Sequence, residues 1–274
     1  MELAHHLDRT ITIEAPQDLV FQYFTTNERW AAWWGPGSTI DARSGGRVYI
    51  RHPNGIEAGG EVLEVIPPER IVFSYGFASG DPMPIGASRV SIQLEGVGRG
   101  TRVLLHHDFA EATVRDHHVQ GWRYQLSVFA NVVIDQLHAD ATRSVDAWFS
   151  AWSETDADTR TRALGEIGAP DVRMRDRFSA VEGIEDLSQH IGAAHKFMPG
   201  LRMEKNGEVR HCQGMVLVDW IAKAPDGQQR AAGKNVFVFR EDGRKEDLFQ
   251  IRRSSLLPSS CDGLLRCSLS FSRT

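Results

Sequence analysis

Residues 115–139 read RDHHVQGWRYQLSVFANVVIDQLHA, with no proline and one glycine in twenty-five positions. His118, Trp122, Leu126, Phe129, Val133 and Leu137 recur at steps of three or four, which on a helix forms a single apolar stripe. Such a stripe needs a partner to cover it. The residues upstream supply one, because β-rich runs at Arg47–His52, Gly60–Ile66, Ile71–Phe77, Ser88–Leu94 and Thr101–Asp108 precede the helix. Asn54-Gly55, Pro67-Pro68, Gly80-Asp81-Pro82 and Gly96–Gly100 separate them with turn chemistry, so an antiparallel meander is expected. Before the meander, Arg9–Glu14 alternates Ile11 and Ile13 with polar residues, as a half-buried strand does. Ala15-Pro16 ends it, and Val20, Phe21, Phe24, Trp30, Trp33 and Trp34 then follow helical spacing up to Gly35-Pro36-Gly37. One strand, two short helices, a curved sheet and one long helix enclose space between helix and sheet.

The whole chain has 274 residues, 41% hydrophobic and 24% charged, a globular composition that suits two ordinary domains. Net charge is −5, which gives no general attraction to nucleic acid or to anionic lipid. No apolar run is long enough to span a membrane and the first residues lack the pattern of a secretory leader, so a cytoplasmic location is expected. Residues 1–140 carry 11 Arg, no Lys and 17 acids, net −6, whereas residues 141–274 carry 20 basic and 19 acidic residues, net +1. That asymmetry places a boundary near Ala139–Ser144, with domains at 1–141 and 144–253. The serine-rich stretch 254–274 has no turn-and-strand logic and is expected to be a disordered tail, or the product of a shifted reading frame.

In the second half, Val145, Trp148, Phe149 and Trp152 mark an amphipathic helix, and Asp156 is placed to cap a second one that closes around Gly165–Pro170. Val172–Asp176 is short and extended, and a helix over Glu182–Phe197 stops at Met198-Pro199-Gly200. Strands are expected at Leu201–Glu208, Gly214–Ala224, Arg230–Arg240 and Arg244–Arg252, with turns at Pro225-Asp226-Gly227 and Glu241-Asp242-Gly243. Helices covering a strongly curved antiparallel sheet predict an α+β domain shaped as a cone.

Trp33-Trp34-Gly35-Pro36, Gly45-Gly46-Arg47, Gly60-Glu61-Val62, Pro67–Ile71 and His118–Trp122 together resemble the START-like (SRPBCC) helix-grip family, within it the homologues of the heat-shock-protein ATPase activator (Aha-type). The resemblance spans residues 8–140 and implies a hydrophobic cavity for a lipid, a polyketide or another small apolar molecule. Ala169–Val172, Asp176, Gly183, Pro199-Gly200-Leu201, Trp220, Asp226-Gly227, Gly233 and Asp242-Gly243 resemble the SnoaL-like branch of the nuclear transport factor 2-like superfamily over residues 144–253. That likeness implies a cone that binds small molecules, and in its enzymes proton transfer by a carboxylate, usually on the closing strand. On that strand, Asp247-Leu248-Phe249-Gln250-Ile251-Arg252, Asp247 is the one acid.

Candidate ligand-binding residues are therefore Trp33, Trp34, Arg51, Tyr75, His118 and Trp122 in the first domain and Trp220 in the second; candidate proton carriers are Asp176, Asp247 and His190. Aromatics at these spacings also suit a plain core, and His118 equally suits a ring tied to a backbone carbonyl. Arg51 matters only if it points inward, and Asp219 and Trp220 face opposite ways on a strand. HExxH, GxSxG and P-loop motifs are missing and Cys212, Cys261 and Cys267 form no CxxC pair, so no metal, redox cofactor or nucleotide is expected. The expected activity is binding of a small hydrophobic molecule, with cofactor-free acid–base chemistry (cyclase-, isomerase- or hydratase-like) in the second domain. The alternative is a non-catalytic, co-chaperone-like interaction module that forms a homodimer through the C-terminal domain.

Overall fold

The stripe of residues 115–139 becomes the buried side of α3 (Ala112–Leu137), where Trp122, Leu126, Phe129 and Val133 are each at most 4% exposed. In the computed structural model, which describes residues 2–252, the helix ends at Leu137, and the chain divides there into two compact units. The division falls just before the expected boundary because His138 already packs on Phe239 and His211, with ring centroids 5.5 and 5.6 Å apart. The expected tail at 254–274 lies outside the described residues.

The N-terminal unit runs β1 (His5–Ile13), α1 (Gln17–Gln22), α2 (Asn27–Trp34), β2 (Thr39–Ile40), β3 (Arg47–Arg51), β4 (Glu57–Ile66), β5 (Arg70–Phe77), β6 (Ser88–Val97), β7 (Gly100–Phe109) and α3. Its sheet has the order β1-β7-β6-β5-β4-β3-β2, antiparallel throughout. The meander predicted from the sequence is present, with β4 to β7 longer than expected: Val97 pairs with Gly100, so the five-residue turn shrinks to Gly98-Arg99. β2, two residues long, has no sequence pattern of its own. The tryptophan-rich α2 fills the space between sheet and helix, with Trp33 4.9 Å from Phe129 and 4.3 Å from Trp34, ring centre to ring centre.

Two glycines explain motifs that otherwise look arbitrary. Gly35 sits at φ +135°, and a Cβ there would lie 2.3 Å from the Arg51 carbonyl oxygen. At Gly60 a Cβ would lie 1.8 Å from the Ser74 carbonyl oxygen, so β4 and β5 cross too closely for any side chain.

The C-terminal unit runs α4 (Ala141–Ser153), α5 (Ala157–Ile167), β8 (Gly168–Arg175), β9 (Ala180–Glu182), α6 (Ile184–Phe197), β10 (Arg202–Lys205), β11 (Arg210–Cys212), β12 (Met215–Lys223), β13 (Gln229–Phe239) and β14 (Lys245–Arg252). Asp156 caps α5 as expected, accepting from the Thr159 amide at 2.9 Å. The sheet order is β10-β12-β13-β14-β8-β9, with β11 also on β12. It is not purely antiparallel: β8 and β14 pair in parallel, because β8 follows a helix and enters the sheet in the direction that β14 later takes. The strand path is open, so this is an α+β unit with a large, mainly antiparallel sheet rather than a closed barrel. Val216, Val218, Trp220, Phe237 and Leu248 form the inward rows and share a core with Trp148, Trp152, Leu187 and Ile191 from the helices. Among the described residues, no helix is long and apolar enough to cross a membrane.

Candidate functional site

Each unit holds an apolar pocket between its helices and its sheet. In the N-terminal unit a cleft of about 630 Å³ is lined by Trp34 from α2, Tyr75 and Phe77 from β5, and His118, Trp122 and Gln125 from α3, with His52 and Ile56 beside them. The long helix delivers His118 and Trp122 to the same side because they are four positions apart. Trp122 is fixed from behind: its indole N–H donates to Nδ1 of His107 at 2.9 Å. Nε2 of His107 therefore carries the proton and donates to Ser88 Oγ at 2.8 Å, and Ser88 in turn donates to the Tyr75 carbonyl at 2.9 Å. Burial holds the pKa of His107 well below the usual histidine value, so the ring stays neutral and this order of donors is kept.

His118 donates through Nδ1 to the Val114 carbonyl at 2.7 Å, the structural role that the sequence allowed for. Its other nitrogen, Nε2, is buried without a partner, and burial lowers the pKa of the ring. The Trp34 indole N–H is likewise unpartnered. Trp33 is core rather than lining: it is 2% exposed, and its indole N–H is spent on the Tyr23 carbonyl at 3.3 Å. Arg51 takes the outward one of the two placements that the sequence left open for it. It ends β3 as an exposed residue outside the cleft, because Val48 and Ile50 take the inward positions of that strand.

In the C-terminal unit a pocket of about 300 Å³ brings together Asp176, His190 and Trp220, three residues that the sequence put forward separately. Asp176 follows β8, where its Oδ1 accepts from the amides of Phe178 and Ser179 and from the Ser179 hydroxyl, each at 2.7 Å. This turn holds the carboxylate at the pocket edge. His190 projects from α6 with no hydrogen-bond partner among the described residues, and its ring lies 6.2 Å from that of Trp152. Burial lowers its pKa, and the field of Asp176 opposes the shift. Trp220 is 1% exposed and faces inward, whereas its neighbour Asp219 faces out and pairs with Lys234 and Arg210.

Asp247 lies apart from the pocket. It forms a two-pronged ion pair with Arg173, at 2.8 and 2.9 Å, and the inward positions of β14 beyond it belong to Leu248 and Gln250. A register shift between Lys245 and Asp247 sets this parity, so the acid on the closing strand faces away.

Among the lining residues that the sequence reading did not propose for the site are Trp152, His195, Met203 and Gln250. Nε2 of His195 donates to the Trp152 carbonyl at 2.7 Å, which leaves Nδ1 buried without a partner. The helical stripe containing Trp152 was visible, but nothing in it singled out the pocket. His195 follows His190 by five positions and carries no motif of its own. Among the described residues there is no group of three histidine, cysteine or acidic side chains able to hold a metal ion.

A family model matches part of the N-terminal unit, and several solved structures resemble less than half of the chain. Residues 14–133 match the family model described as Activator of Hsp90 ATPase homolog 1-like protein. No curated protein matches the chain. Among solved structures, the chain is similar to a SnoaL-like family protein from Agrobacterium tumefaciens, at 24% identity over 43% of this chain and 99% of that one, with a TM-score of 0.41. It is similar to the Aha1 dimer from Colwellia psychrerythraea at 23% identity over 44% and 90% of the two chains, with a TM-score of 0.39. CalU16 from Micromonospora echinospora is 26% identical over 46% and 75%, with a TM-score of 0.39.

Proposed function

We propose that the chain binds small hydrophobic molecules in two separate pockets, a helix-grip cleft in the N-terminal unit and a cone-like cup in the C-terminal one. We further propose that the cup carries out cofactor-free acid–base chemistry of the cyclase, isomerase or hydratase type. One observation carries this reading: an unpartnered histidine kept neutral by burial, His190, shares an apolar pocket with the carboxylate of Asp176. A neutral imidazole in such a place can take a proton from carbon or oxygen next to a carbonyl, and a nearby carboxylate steadies the imidazolium that forms. The cleft of the N-terminal unit has no such pair and serves for binding.

Native mass spectrometry of freshly purified protein tests the binding claim, and a reproducible small molecule that is released on unfolding is the expected result. Once a substrate is in hand, His190→Gln and Asp176→Asn should each lower turnover by about a hundredfold or more, the usual worth of a positioned proton carrier. Full-rate turnover by both variants would remove the catalytic part and leave the binding part standing.

A second reading, a protein-interaction module that dimerises through the C-terminal sheet, is favoured by one feature. On the outer face of that sheet Met215 and Phe249 are 55% and 37% exposed, and Leu217, Val236 and Phe249 pair side by side across three strands. Size-exclusion chromatography with light scattering decides it: a dimer that Phe249→Glu converts to monomer supports this reading, and a monomeric wild type at micromolar concentration overturns it.

A further inference from the structure

We infer that the floor of the C-terminal cup recognises a neutral molecule presenting a hydrogen-bond donor and an acceptor side by side, and that Gln250, backed by Asn235, reads it. The inference rests on the cup being a binding site and goes on to say which occupant it selects.

Strands β13 and β14 pair Asn235 directly with Gln250. Both face inward, at 0% and 7% exposure, and Gln250 lines the cup. Directly opposed residues in an antiparallel pair stand about 5 Å apart at Cβ, so the two carboxamides belong to one patch. Neither the oxygen nor the nitrogen of the Asn235 amide has a partner. The Gln250 nitrogen reaches only the Met203 sulfur at 3.8 Å, a weak acceptor. Close by, the indole N–H groups of Trp152 and Trp220 are buried and also unpartnered. Buried polar groups in native proteins are almost always paired, so two open indole N–H groups at the cup, a Gln250 held only by a weak acceptor and the open Asn235 amide behind it point to a partner that arrives from outside the chain.

The chemistry of the open groups narrows that partner. A carboxamide presents an acceptor next to a donor, and its complement presents the same two functions in the opposite order: a primary amide, a lactam, or a hydroxyl beside a carbonyl. An anion does not fit, because no lysine or arginine lines the cup and Asp176 already places an acidic group there. A carboxylate on the floor would be buried without a counter-charge. Pure hydrocarbon also fits badly, since it would leave both indole N–H groups unpaired and Gln250 with only a sulfur partner. The inference thus separates oxygenated neutral molecules from fatty acids and bare hydrocarbons.

Three probes of nearly equal shape test it on the full chain: naphthamide, naphthoate and ethylnaphthalene. Binding is followed by NMR through the indole N–H signals of Trp152 and Trp220, assigned with Trp152→Phe and Trp220→Phe, so that occupancy of the N-terminal cleft is not counted. Naphthamide is expected to bind at least about tenfold more tightly than the other two, the order of effect of one well-placed buried hydrogen-bonding group. In Asn235→Leu/Gln250→Met that advantage should fall to about twofold or less while ethylnaphthalene still binds, which also shows that the variant is folded. If the double variant does not fold, Gln250→Met alone should reduce the advantage severalfold. Equal binding of amide and hydrocarbon by the wild type, tightest binding of naphthoate, or an undiminished preference in the variants would overturn the inference and leave the cup as a binding site. Failure of all three probes to move either indole signal would overturn the cup reading itself.

Discussion

Lys245 runs its whole length inside the C-terminal unit at 1% exposure, with its amine 2.9 Å from the Ser144 carbonyl and 2.5 Å from the Ser144 hydroxyl. The rings of Phe237 and Phe239 stand 5.3 and 5.2 Å from the nitrogen, and they compensate only partly for lost water. Burial pulls its pKa from 10.5 down to about 7. Between those two values the unfolded chain holds a proton that the folded chain has released, so this group makes stability rise with pH from about 7 towards 10. The full benefit is present only above the unfolded value and is lost as pH falls to the folded one. Urea unfolding between pH 7.5 and 9.5 should therefore show the free energy of unfolding climbing, by up to about 1.4 kcal/mol per pH unit from this side chain. Lys245→Met should flatten the climb, and an unchanged slope in that variant would refute the assignment.

At the scale of single elements, α3 and the meander were legible because their periods are long and clean, and Phe129 at 0% exposure sits where the stripe put it. The closeness of β4 and β5 at Gly60 was legible only as a motif, and the structure supplies its cause. Gly60→Ala would drive a methyl group into the Ser74 carbonyl and should destabilise the N-terminal unit by about 2 kcal/mol or more, measured by denaturant midpoint. Gly98→Ala meets nothing within 4 Å and serves as a control, with a smaller cost from its left-handed φ of +61°. The edge strands β2, β9 and β11 were invisible in the sequence because two or three residues carry no period, and their pairing is imposed by the neighbouring strand. β14 misled for a different reason: Leu248 and Phe249 put apolar residues on both faces, and the irregularity at Lys245 hid that Gln250 rather than Asp247 points in. Asp176 and His190 were chosen singly from the sequence; what could not be read was that a turn after β8 and the middle of α6 meet at one pocket.

For the molecule as a whole, the division at Leu137 gives each unit its own core, four tryptophans in the first and three in the second. Each should unfold as its own cooperative block, so scanning calorimetry of the full chain is expected to resolve two transitions. Residues 1–140 expressed alone should reproduce one of them within a few degrees. A single transition whose calorimetric and van't Hoff enthalpies agree would contradict this. The parallel pairing of β8 with β14 carries a consequence for synthesis. During translation β8 and its partner β9 emerge early, yet the sheet neighbour that β8 requires is not made until residues 176–244 have left the ribosome. Until then β8 has a naked hydrogen-bonding edge, and the half-made unit is the stage at which a nascent chain would recruit a chaperone or pair with the wrong strand.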